Sequence, residues 1–225
     1  MSLDAPFCWI NFKAYPGTFG DDGRALLRTI ERVQAETGVT FLVSPATTEL
    51  RWAATNADVS IMAQHVDAAE PGRGMGRVLP SMLREAGVTA VVINHAESRH
   101  SLDDIASLIP TCRDQSLHTV VGAHGIDAAR AVLTLGPDTL VCEVPEDIAT
   151  DRAISVTHPA FVRSCVELRD DVSPDTNVFV GGGIATEADV EAAFELGVDA
   201  VGAASAVVDS PDPIVVLRDL AAGFP

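Results

Sequence analysis

The stretch Trp9-Ile10-Asn11-Phe12-Lys13 decides the fold, because it contains the end of the first strand and the residues directly after it. It continues an apolar run that begins at Phe7, and a short aromatic and β-branched run of this kind predicts a buried strand. A doubly wound open sheet normally places a glycine-rich fingerprint directly after its first strand. Here Asn-Phe-Lys stands in that place, which argues against the open sheet.

Lys13 is the only lysine in the chain, beside fourteen arginines. The lysine ammonium is a compact charge on a flexible stem and suits one anionic oxygen in a tight pocket, whereas the guanidinium of arginine is a planar fork. Two interpretations are open: an ordinary surface lysine, or a cationic catalytic or anion-binding group at the C-terminal tip of the first strand. We favour the second, because the only ammonium lies at the end of a buried run.

Outward from this stretch, short apolar runs alternate with longer amphipathic segments. The predicted strands are Phe7–Ile10, Val39–Val43, Val59–Ala63, Thr89–Asn94, His118–Gly122, Thr139–Cys142, Asn177–Val180 and Ala200–Ala203. The predicted helices are Gly20–Glu36, Thr48–Thr55, Leu79–Ala86, Leu102–Cys112, Asp127–Leu135, His158–Leu168, Glu187–Leu196 and Ile214–Ala222. Eight β-then-α units predict an α/β chain that forms a single (β/α)8 barrel over residues 1–225, without a domain boundary.

The composition is strongly acidic, with a formal net charge of −17 and a pI near 4.5. This charge makes nucleic acid and anionic membranes poor partners. The composition argues against a disordered acidic chain, because 47% of the residues are hydrophobic and the acids are dispersed. Abundant Asp and Glu with almost no lysine favour adaptation to a high-salt cytoplasm, where counterions screen the self-repulsion.

The cysteines are widely spaced and form no CxxC motif; they are Cys8, Cys112, Cys142 and Cys165. This spacing predicts reduced, mostly buried thiols of a cytoplasmic protein rather than a disulfide framework or a zinc site. The chain opens without a cationic and apolar leader, and no apolar run reaches about 18 residues. We therefore expect neither export nor a membrane span.

Active sites of (β/α)8 barrels form at the C-terminal ends of the strands, which supplies a filter for candidate residues. The polar or small residues at the predicted strand ends are Asn11 and Lys13, Gln64 and His65, Asn94, His95 and Glu97, His124, Glu143, Gly181-Gly182-Gly183, and Ala204-Ser205. A cation, a histidine and a carboxylate that converge beside two small-residue turns indicate proton abstraction next to the carbonyl of a phosphorylated substrate.

Each of these signals also has a simpler interpretation. A strand-end histidine such as His95 is often only a hydrogen-bonded rim residue. The three glycines could form a plain tight turn, although amides exposed before a helix also bind phosphate. Glu143 is harder to explain in this way, because burial of an unpaired carboxylate is costly. The segment Gln64-His65-Val66-Asp67 lacks the third and fourth ligands of a metal site, so no metal is expected.

Together these segments resemble the triosephosphate isomerase family, in particular its shorter, archaeal-type branch, over essentially the whole chain. The matching pieces are Asn11-Phe12-Lys13, Ala63-Gln64-His65-Val66-Asp67 before a Glu-Pro-Gly loop, Ile93-Asn94-His95-Ala96-Glu97-Ser98-Arg99, Cys142-Glu143-Val144-Pro145-Glu146, Gly181-Gly182-Gly183-Ile184 and Gly202-Ala203-Ala204-Ser205. The ordered trio of Asn-x-Lys, His and Glu is specific, whereas the glycine turns occur in many phosphate-binding barrels. The resemblance implies a TIM barrel that interconverts dihydroxyacetone phosphate and glyceraldehyde 3-phosphate without a cofactor, as in glycolysis and gluconeogenesis.

The resemblance also implies a role for each site residue. Glu143 would shuttle a proton between C1 and C2, and a neutral His95 would polarise the carbonyl. Lys13 would stabilise the enediolate and the phosphate, Asn11 would donate to a substrate oxygen, and Glu97 would help to orient Lys13 and His95. Backbone amides would hold the phosphate near Ala149, Gly182, Gly183, Ala204 and Ser205.

The segment after Glu143 departs from the family pattern. Family lids usually contain Ile-Gly-Thr-Gly, whereas this chain has Ile148-Ala149-Thr150-Asp151-Arg152, and Val144 stands where a proline is common. By the resemblance, Asp151 would place a negative charge near the closed lid, where a phosphate dianion would feel it. Because lid closure excludes water and commits the substrate, the change bears on rate and substrate more than on fold.

Three functions remain open from the sequence. The first is triose-phosphate isomerisation, the second is isomerisation of a related short sugar phosphate such as a tetrulose, and the third is phosphate-metabolite binding or assembly without efficient catalysis. The retained Lys13 counts against the third, and the altered lid counts against the first. The resemblance also implies a homo-oligomer, a dimer or a tetramer, with the loop Gly72-Arg73-Gly74-Met75-Gly76 at an interface.

Overall fold

The computed structural model describes residues 3–144 and 152–225. Its strands, β1 to β8, are Phe7–Asn11, Thr40–Ser44, Ser60–Ala63, Ala90–Ile93, His118–His124, Thr139–Glu143, Asn177–Val180 and Ala200–Ala203. The helices in the described residues, α1 to α10, are Gly20–Thr37, Leu50–Asn56, Pro80–Glu85, Leu102–Asp114, Ile126–Leu133, Ile154–Thr157, Pro159–Val172, Glu187–Glu195, Ser205–Val208 and Pro213–Ala222. A 3₁₀ turn, Thr47–Glu49, precedes α2.

The eight strands pair in parallel and close into one barrel in the order of the chain. Closure joins β8 to β1, where Ile10 pairs with Val43 on one side and with Ala203 on the other. Parallel neighbours need a crossover connection, which the intervening helical segments supply. The predicted (β/α)8 barrel is confirmed, and all strand ends that carry candidate residues meet at one mouth.

Successive side chains of each strand point to opposite faces of the sheet, and this alternation produces two apolar layers. On β1, Phe7 and Trp9 belong to the barrel interior, whereas Cys8 and Ile10 pack with the surrounding helices. The interior layer consists mainly of Phe7, Trp9, Leu42, Met62, Val92, Val120, Val141 and Phe179. Because both faces of each strand are covered, the strands are nearly continuous apolar runs, which is why they could be found in the sequence.

Local signals set several helix ends. Gly38 adopts a φ of 75° directly after α1, a left-handed conformation that glycine reaches without a Cβ penalty. Capping boxes open two helices: Ser101 with Asp104 at α4, and Thr186 with Asp189 at α8. In each box the hydroxyl accepts from a backbone N–H and the carboxylate accepts from the cap N–H, so both orphan donors are satisfied.

Most predicted boundaries agree with the structure within two residues. α7 continues to Val172, beyond the predicted end at Leu168, because Val172 packs against the core. The sequence does not predict α6 and α9, since a four-residue helix is too short to show an amphipathic period. β5 extends to His124, two residues past its predicted end, and carries this side chain to the barrel mouth.

All four cysteines lie in described residues, where they are buried and free. Burial raises the pKa of the Cys8 thiol to about 12, so this thiol stays protonated. No helix found in residues 3–144 and 152–225 is long and apolar enough to cross a membrane.

Candidate active site

A cavity of about 410 Å³ opens at the C-terminal mouth of the barrel. Its floor is apolar and includes Trp9, Val141 and Phe179. Its walls carry the polar and small residues predicted at the strand ends, namely Asn11, Lys13, His95, Glu143, Gly182, Gly183, Ala204 and Ser205. A concave, partly apolar pocket with a few convergent polar groups is the usual form of a small-molecule site.

The end of β1 holds Lys13 in an unusual backbone conformation. Its φ is 46°, in the left-handed region that side chains with a Cβ rarely adopt. The backbone N–H of Lys13 donates to Oδ1 of Asn11 (2.9 Å), and the amide of Gln64 donates to the Lys13 carbonyl (3.0 Å). The same Gln64 nitrogen lies 3.1 Å from the carbonyls of Ser44 and Pro45. These contacts tie the strained turn to the neighbouring strands.

The ammonium of Lys13 lies 3.1 Å from Oε2 of Glu97, which follows β4. The Glu97 side chain is 58% exposed, whereas that of Lys13 is 19% exposed. An ion pair with one exposed partner is weak, because water screens the attraction. Lys13 can therefore exchange this partner for an anionic ligand in the cavity.

The hydrogen bonds of His95 fix its tautomer. Its Nδ1 accepts the backbone N–H of Glu97 (3.1 Å), so the neutral ring carries its proton on Nε2. Nε2 faces Oε1 of Glu143 at 3.3 Å. Burial lowers the pKa of His95, the positive charge of Lys13 lowers it further, and Glu97 opposes these effects. The result is a neutral imidazole that presents a donor to the cavity.

Glu143 ends β6 with its side chain largely withdrawn from water, at 11% exposure. Burial raises the pKa of this carboxyl to about 7, although a hydrogen bond from the Ala96 amide and the charges of Lys13 and Arg99 oppose the rise. A carboxyl with such a pKa is a stronger base than an ordinary glutamate. Its environment therefore suits proton transfer near neutral pH.

Asn94 joins three parts of the mouth. It has a φ of 59°, and its side-chain amide donates to the carbonyl of Gly122 on β5 (2.9 Å). Its backbone N–H donates to Nδ1 of His100 (3.0 Å), and its Oδ1 accepts the backbone N–H of His100 (3.0 Å). Nε2 of His100 donates to the carbonyl of Val66 (2.8 Å). The segment that carries His95 is thus anchored to β5 and to the loop after β3.

The two small-residue turns line the same cavity. Gly183 has a φ of 70°, and a Cβ there would collide with the carbonyl of Arg152. The Gly182 carbonyl accepts the N–H of Ile154 (2.9 Å), so the turn after β7 packs against the start of α6. Ala204 directly follows β8, and Ser205 is the first residue of α9. Close backbone packing explains why glycine is required at 183.

Comparison with known proteins decides the family. The family model for triosephosphate isomerase matches residues 6–220. Several proteins named triosephosphate isomerase are similar to this chain over nearly their whole length. The protein from Methanopyrus kandleri is 40% identical over 224 residues, covering 99% of each chain. Those from Methanocaldococcus jannaschii and Methanoculleus marisnigri are 34% and 35% identical, covering 94% and 97% of this chain and 96% and 98% of theirs.

The chain belongs to the triosephosphate isomerase family. The structure brings together the residues that the triosephosphate isomerase resemblance assigns to the site, as far as they are described. Only Glu97 lies beside the cavity rather than on its wall, in contact with Lys13. The lid residues 145–151, including Ala149 and Asp151, lie outside the described residues.

Three residues around this site are named from the sequence only as polar residues at strand ends, without a role: Gln64, Asn94 and His124. All three follow buried runs, and that position was the available signal. Their tasks depend on contacts to other strands, such as the contact between His124 Nδ1 and Glu143 Oε2 at 3.2 Å. Such contacts between distant residues have no short-range sequence motif.

The segment weighed as a metal site is engaged in other contacts. Nδ1 of His65 is hydrogen-bonded to Oγ of Ser98 (2.9 Å), and Nε2 lies 3.5 Å from a carboxylate oxygen of Asp67. His65 also stacks on His100, with ring centroids 5.2 Å apart. Within the described part of the chain, no group of three or more His, Cys, Asp or Glu residues is arranged to hold a metal ion.

Proposed function

We propose that the protein is an intramolecular aldose–ketose isomerase that interconverts dihydroxyacetone phosphate and glyceraldehyde 3-phosphate. One observation carries the proposal: the Glu143 carboxyl, the Nε2–H of His95 and the Lys13 ammonium converge on one cavity. Glu143 Oε1 lies 3.3 Å from His95 Nε2. A base, a neutral donor and a cation are the groups that an enediolate intermediate requires. Membership of the triosephosphate isomerase family supports the same reaction.

The proposed reaction moves one proton between adjacent carbons. Glu143 removes a proton from C1 of dihydroxyacetone phosphate, and the electrons of the broken C–H bond form the C1–C2 double bond. The carbonyl electrons move to O2, which gives the enediolate. A proton passes from O1 to O2 through His95, and the proton held by Glu143 returns to C2. The product is glyceraldehyde 3-phosphate, and the enzyme ends unchanged.

The environments of the two acid–base groups support these roles. A carboxylate whose pKa is about 7 accepts a proton from carbon more readily than an ordinary glutamate, and it is still partly ionised near neutral pH. His95 must give its Nε2 proton to O2 and take the O1 proton back, so it passes between neutral imidazole and imidazolate and is never an imidazolium. Its lowered pKa and its Nε2–H tautomer support this role.

Lys13 and Asn11 stabilise the negative charge in the proposed site. The ammonium leaves Glu97 and approaches the enediolate oxygen and the phosphate, where burial strengthens the attraction. The side-chain carbonyl of Asn11 is occupied by the Lys13 N–H, so its NH₂ group is the part that can donate to a substrate oxygen. Glu97 holds both Lys13 and the Nδ1 side of His95.

The phosphate is held by backbone amides in the two small-residue turns. Amides exposed by turns and short helix starts favour an anion without needing further positive side chains. We assign Gly182, Gly183, Ala204 and Ser205 to this task, because they line the same cavity as the base. Ala149 in the lid, with its divergent sequence 148–152, completes the proposed set.

Turnover of the triose phosphates tests the function. The assay follows isomerisation in both directions in ~2 M KCl, a concentration chosen because salt at this level screens a large negative net charge. We expect Glu143→Gln to lower kcat/KM by about 10²–10⁴-fold, since it removes the base. We expect Lys13→Ala to lower it by about 10²–10³-fold, since it removes the stabilising charge.

The matched control is Glu191→Gln, the same chemical change at an exposed position of α8. This substitution should leave kcat/KM unchanged in both directions of the reaction. A folded wild-type protein that turns over a four-carbon ketose phosphate but not the triose phosphates would contradict the proposal.

We also propose a setting for this enzyme: a single-domain subunit of a homo-oligomer, dimer or tetramer, that acts in glycolysis and gluconeogenesis in a salt-rich cytoplasm. A net charge of −17 supports the salt adaptation and disfavours nucleic acid and membrane partners. The loop Gly72-Arg73-Gly74-Met75-Gly76 supports assembly, because its Met75 is fully exposed. Light scattering over a range of KCl concentrations measures the subunit number.

A further inference from the structure

His124 is a buried titratable group that the proposed reaction does not use. It ends β5, directly beside Glu143 at the end of β6, because the two residues are paired in the parallel register. Its side chain is 7% exposed, and its Nδ1 lies 3.2 Å from Oε2 of Glu143. The base therefore touches one histidine with each oxygen, His95 through Oε1 and His124 through Oε2.

The hydrogen bonds of the two histidines show that one ring presents a donor to the carboxyl and the other presents an acceptor. Nε2 of His124 lies 3.1 Å from the backbone carbonyl of Asn94, which can only accept, so Nε2 carries the proton. Neutral His124 therefore turns a bare Nδ1 lone pair toward the carboxyl. His95 does the reverse, because its Nδ1 accepts from Glu97 and its Nε2–H faces the carboxyl.

If His124 is neutral and Glu143 is ionised, no proton lies between Nδ1 and Oε2. In the described residues, these are the two buried side-chain atoms without a hydrogen-bond partner. Two buried acceptors at 3.2 Å repel each other when the carboxyl is ionised and the imidazole is neutral. A single added proton between them satisfies both atoms. Buried polar atoms are almost always satisfied in folded proteins, which favours the protonated pair.

We infer that His124 is a positioning residue that shares one proton with the base Glu143, so that the two groups titrate as a pair. This inference rests on the proposed role of Glu143. In one form the proton is on Oε2 and the carboxyl donates to Nδ1. In the other the proton has moved to Nδ1, and a carboxylate faces an imidazolium. When Glu143 turns to the substrate, the proton stays on Nδ1, so the base leaves ionised and the total charge is unchanged.

Other titratable groups around the pair belong to three elements. They are Lys13 after β1, His95, Glu97 and Arg99 after β4, and Cys142 on β6. Lys13 and Arg99 favour the ionised carboxyl, whereas Glu97 and burial oppose it. Two groups that interact this closely titrate with values that belong to the pair. The acidic limb of kcat/KM should therefore report Glu143 and His124 together.

Two substitutions at 124 separate proton sharing from structural support. The amide of glutamine in His124→Gln can replace Nε2 and keep the bond to the Asn94 carbonyl, but it presents no basic lone pair to Glu143. The amide of His124→Asn lies near the position of Nδ1 and can donate to the carboxylate. Both variants remove the acceptor that stabilises the protonated base.

The first measurement is the pH dependence of kcat/KM. In both variants the acidic limb should move to lower pH by roughly one unit, because a carboxylate without a proton-sharing partner ionises more easily. KM above the limb should stay within about twofold of wild type, since this change leaves the substrate contacts in place. The inference would be overturned if the acidic limb of kcat/KM stayed in place or moved to higher pH. It would also be overturned if His124→Gln had the same pH profile as wild type.

The second measurement does not need turnover. The ¹⁵N signals of the His124 ring distinguish a protonated nitrogen from a bare one. In the wild type, the Nδ1 signal should titrate with Glu143, and Glu143→Gln should abolish this titration or displace it by at least about one pH unit. Identical titration in both proteins refutes the shared proton. Absence of triose-phosphate turnover, with an intact NMR titration, would refute the proposed function but not the pair.

Discussion

At the scale of single residues, the site depends on a backbone that would not hold its conformation alone. Lys13 has a φ of 46°, where a residue with a Cβ is strained. Gln64 opposes this strain, because one amide nitrogen approaches the carbonyls of Lys13, Ser44 and Pro45 within 3.1 Å. The position of the only ammonium thus depends on a residue that does not line the cavity.

We predict that Gln64→Leu moves the ammonium and weakens catalysis. The buried carbonyls lose their donor, so the free energy of unfolding should fall by about 1–3 kcal/mol. Displacement of a catalytic group by about 1 Å costs on the order of 10²-fold in rate, and we expect a loss in kcat near this size. Steady-state kinetics and urea unfolding measure the two effects.

Gln34 supplies the matched control. Its side chain also bridges backbone groups, donating to Asp58 O (2.9 Å) and accepting from Phe41 N–H (2.8 Å), but it lies on α1 outside the cavity. Gln34→Leu should lower stability and leave kcat unchanged. An equal loss of kcat in both variants would show that Gln64 acts only through stability.

At the scale of elements, the turn after β7 and the start of α6 form one packed unit. The N–H of Ile154 donates to the Gly182 carbonyl (2.9 Å), and a Cβ at Gly183 would collide with the carbonyl of Arg152. Arg152 directly follows the lid residues 145–151. The glycine turn therefore positions both the proposed phosphate amides and the end from which the lid extends.

We predict that Gly183→Ala separates this turn from α6. An alanine with a left-handed φ costs roughly 1–2 kcal/mol by itself, and the collision adds to this cost. We expect a higher KM for the triose phosphates and a fall in kcat/KM of about 10²-fold. Kinetics and thermal unfolding are the measurements.

Gly136 supplies a control in which an alanine is strained in its backbone but collides with nothing. It has a φ of 65°, similar to that of Gly183, but a Cβ there would meet nothing within 4 Å. Gly136→Ala should show the strain cost without a change in KM. If the two alanine variants have the same kinetics, the packing of Gly183 against Arg152 is not needed for the site.

At the scale of the whole molecule, the net charge is strongly negative. The formal net charge of −17 is carried by a chain with 32 acids and 15 basic side chains. Self-repulsion of this kind destabilises the compact state at low ionic strength. Screening shortens the range of the repulsion from about 10 Å at 0.1 M salt to about 3 Å at 1 M.

We predict that the Tm rises when KCl is increased from ~0.1 to ~1 M, because salt screens charges over this range. Each kcal/mol of relieved repulsion corresponds to about 2–4 °C in Tm for a chain of this size. A variant that carries Asp114→Lys, Asp171→Lys and Glu195→Lys, all at exposed positions, should show a weaker salt dependence. An equal dependence in both proteins would attribute the salt effect to something other than net charge.

Much of the fold was predictable from the sequence for a physical reason. Strands buried on both faces are nearly continuous apolar runs, and Gly38 and the Ser101 cap mark helix ends locally. The short helices α6 and α9 were not predicted, because one turn of helix carries no period. The extension of β5 to His124 depends on pairing with β6, which is not visible in the β5 segment alone.

The barrel and the residues at its mouth could be predicted from the order of apolar runs along the chain, because strand order follows chain order and every strand ends on the same side. How those residues act on one another became visible in the folded molecule. The pKa of about 7 at Glu143 and its contacts with His95 and His124 arise between residues of different strands, whereas the Nε2–H tautomer of His95 follows from a hydrogen bond to Glu97, two residues away. Burial and contacts between strands set the pKa of Glu143, and both exist only after the barrel has closed.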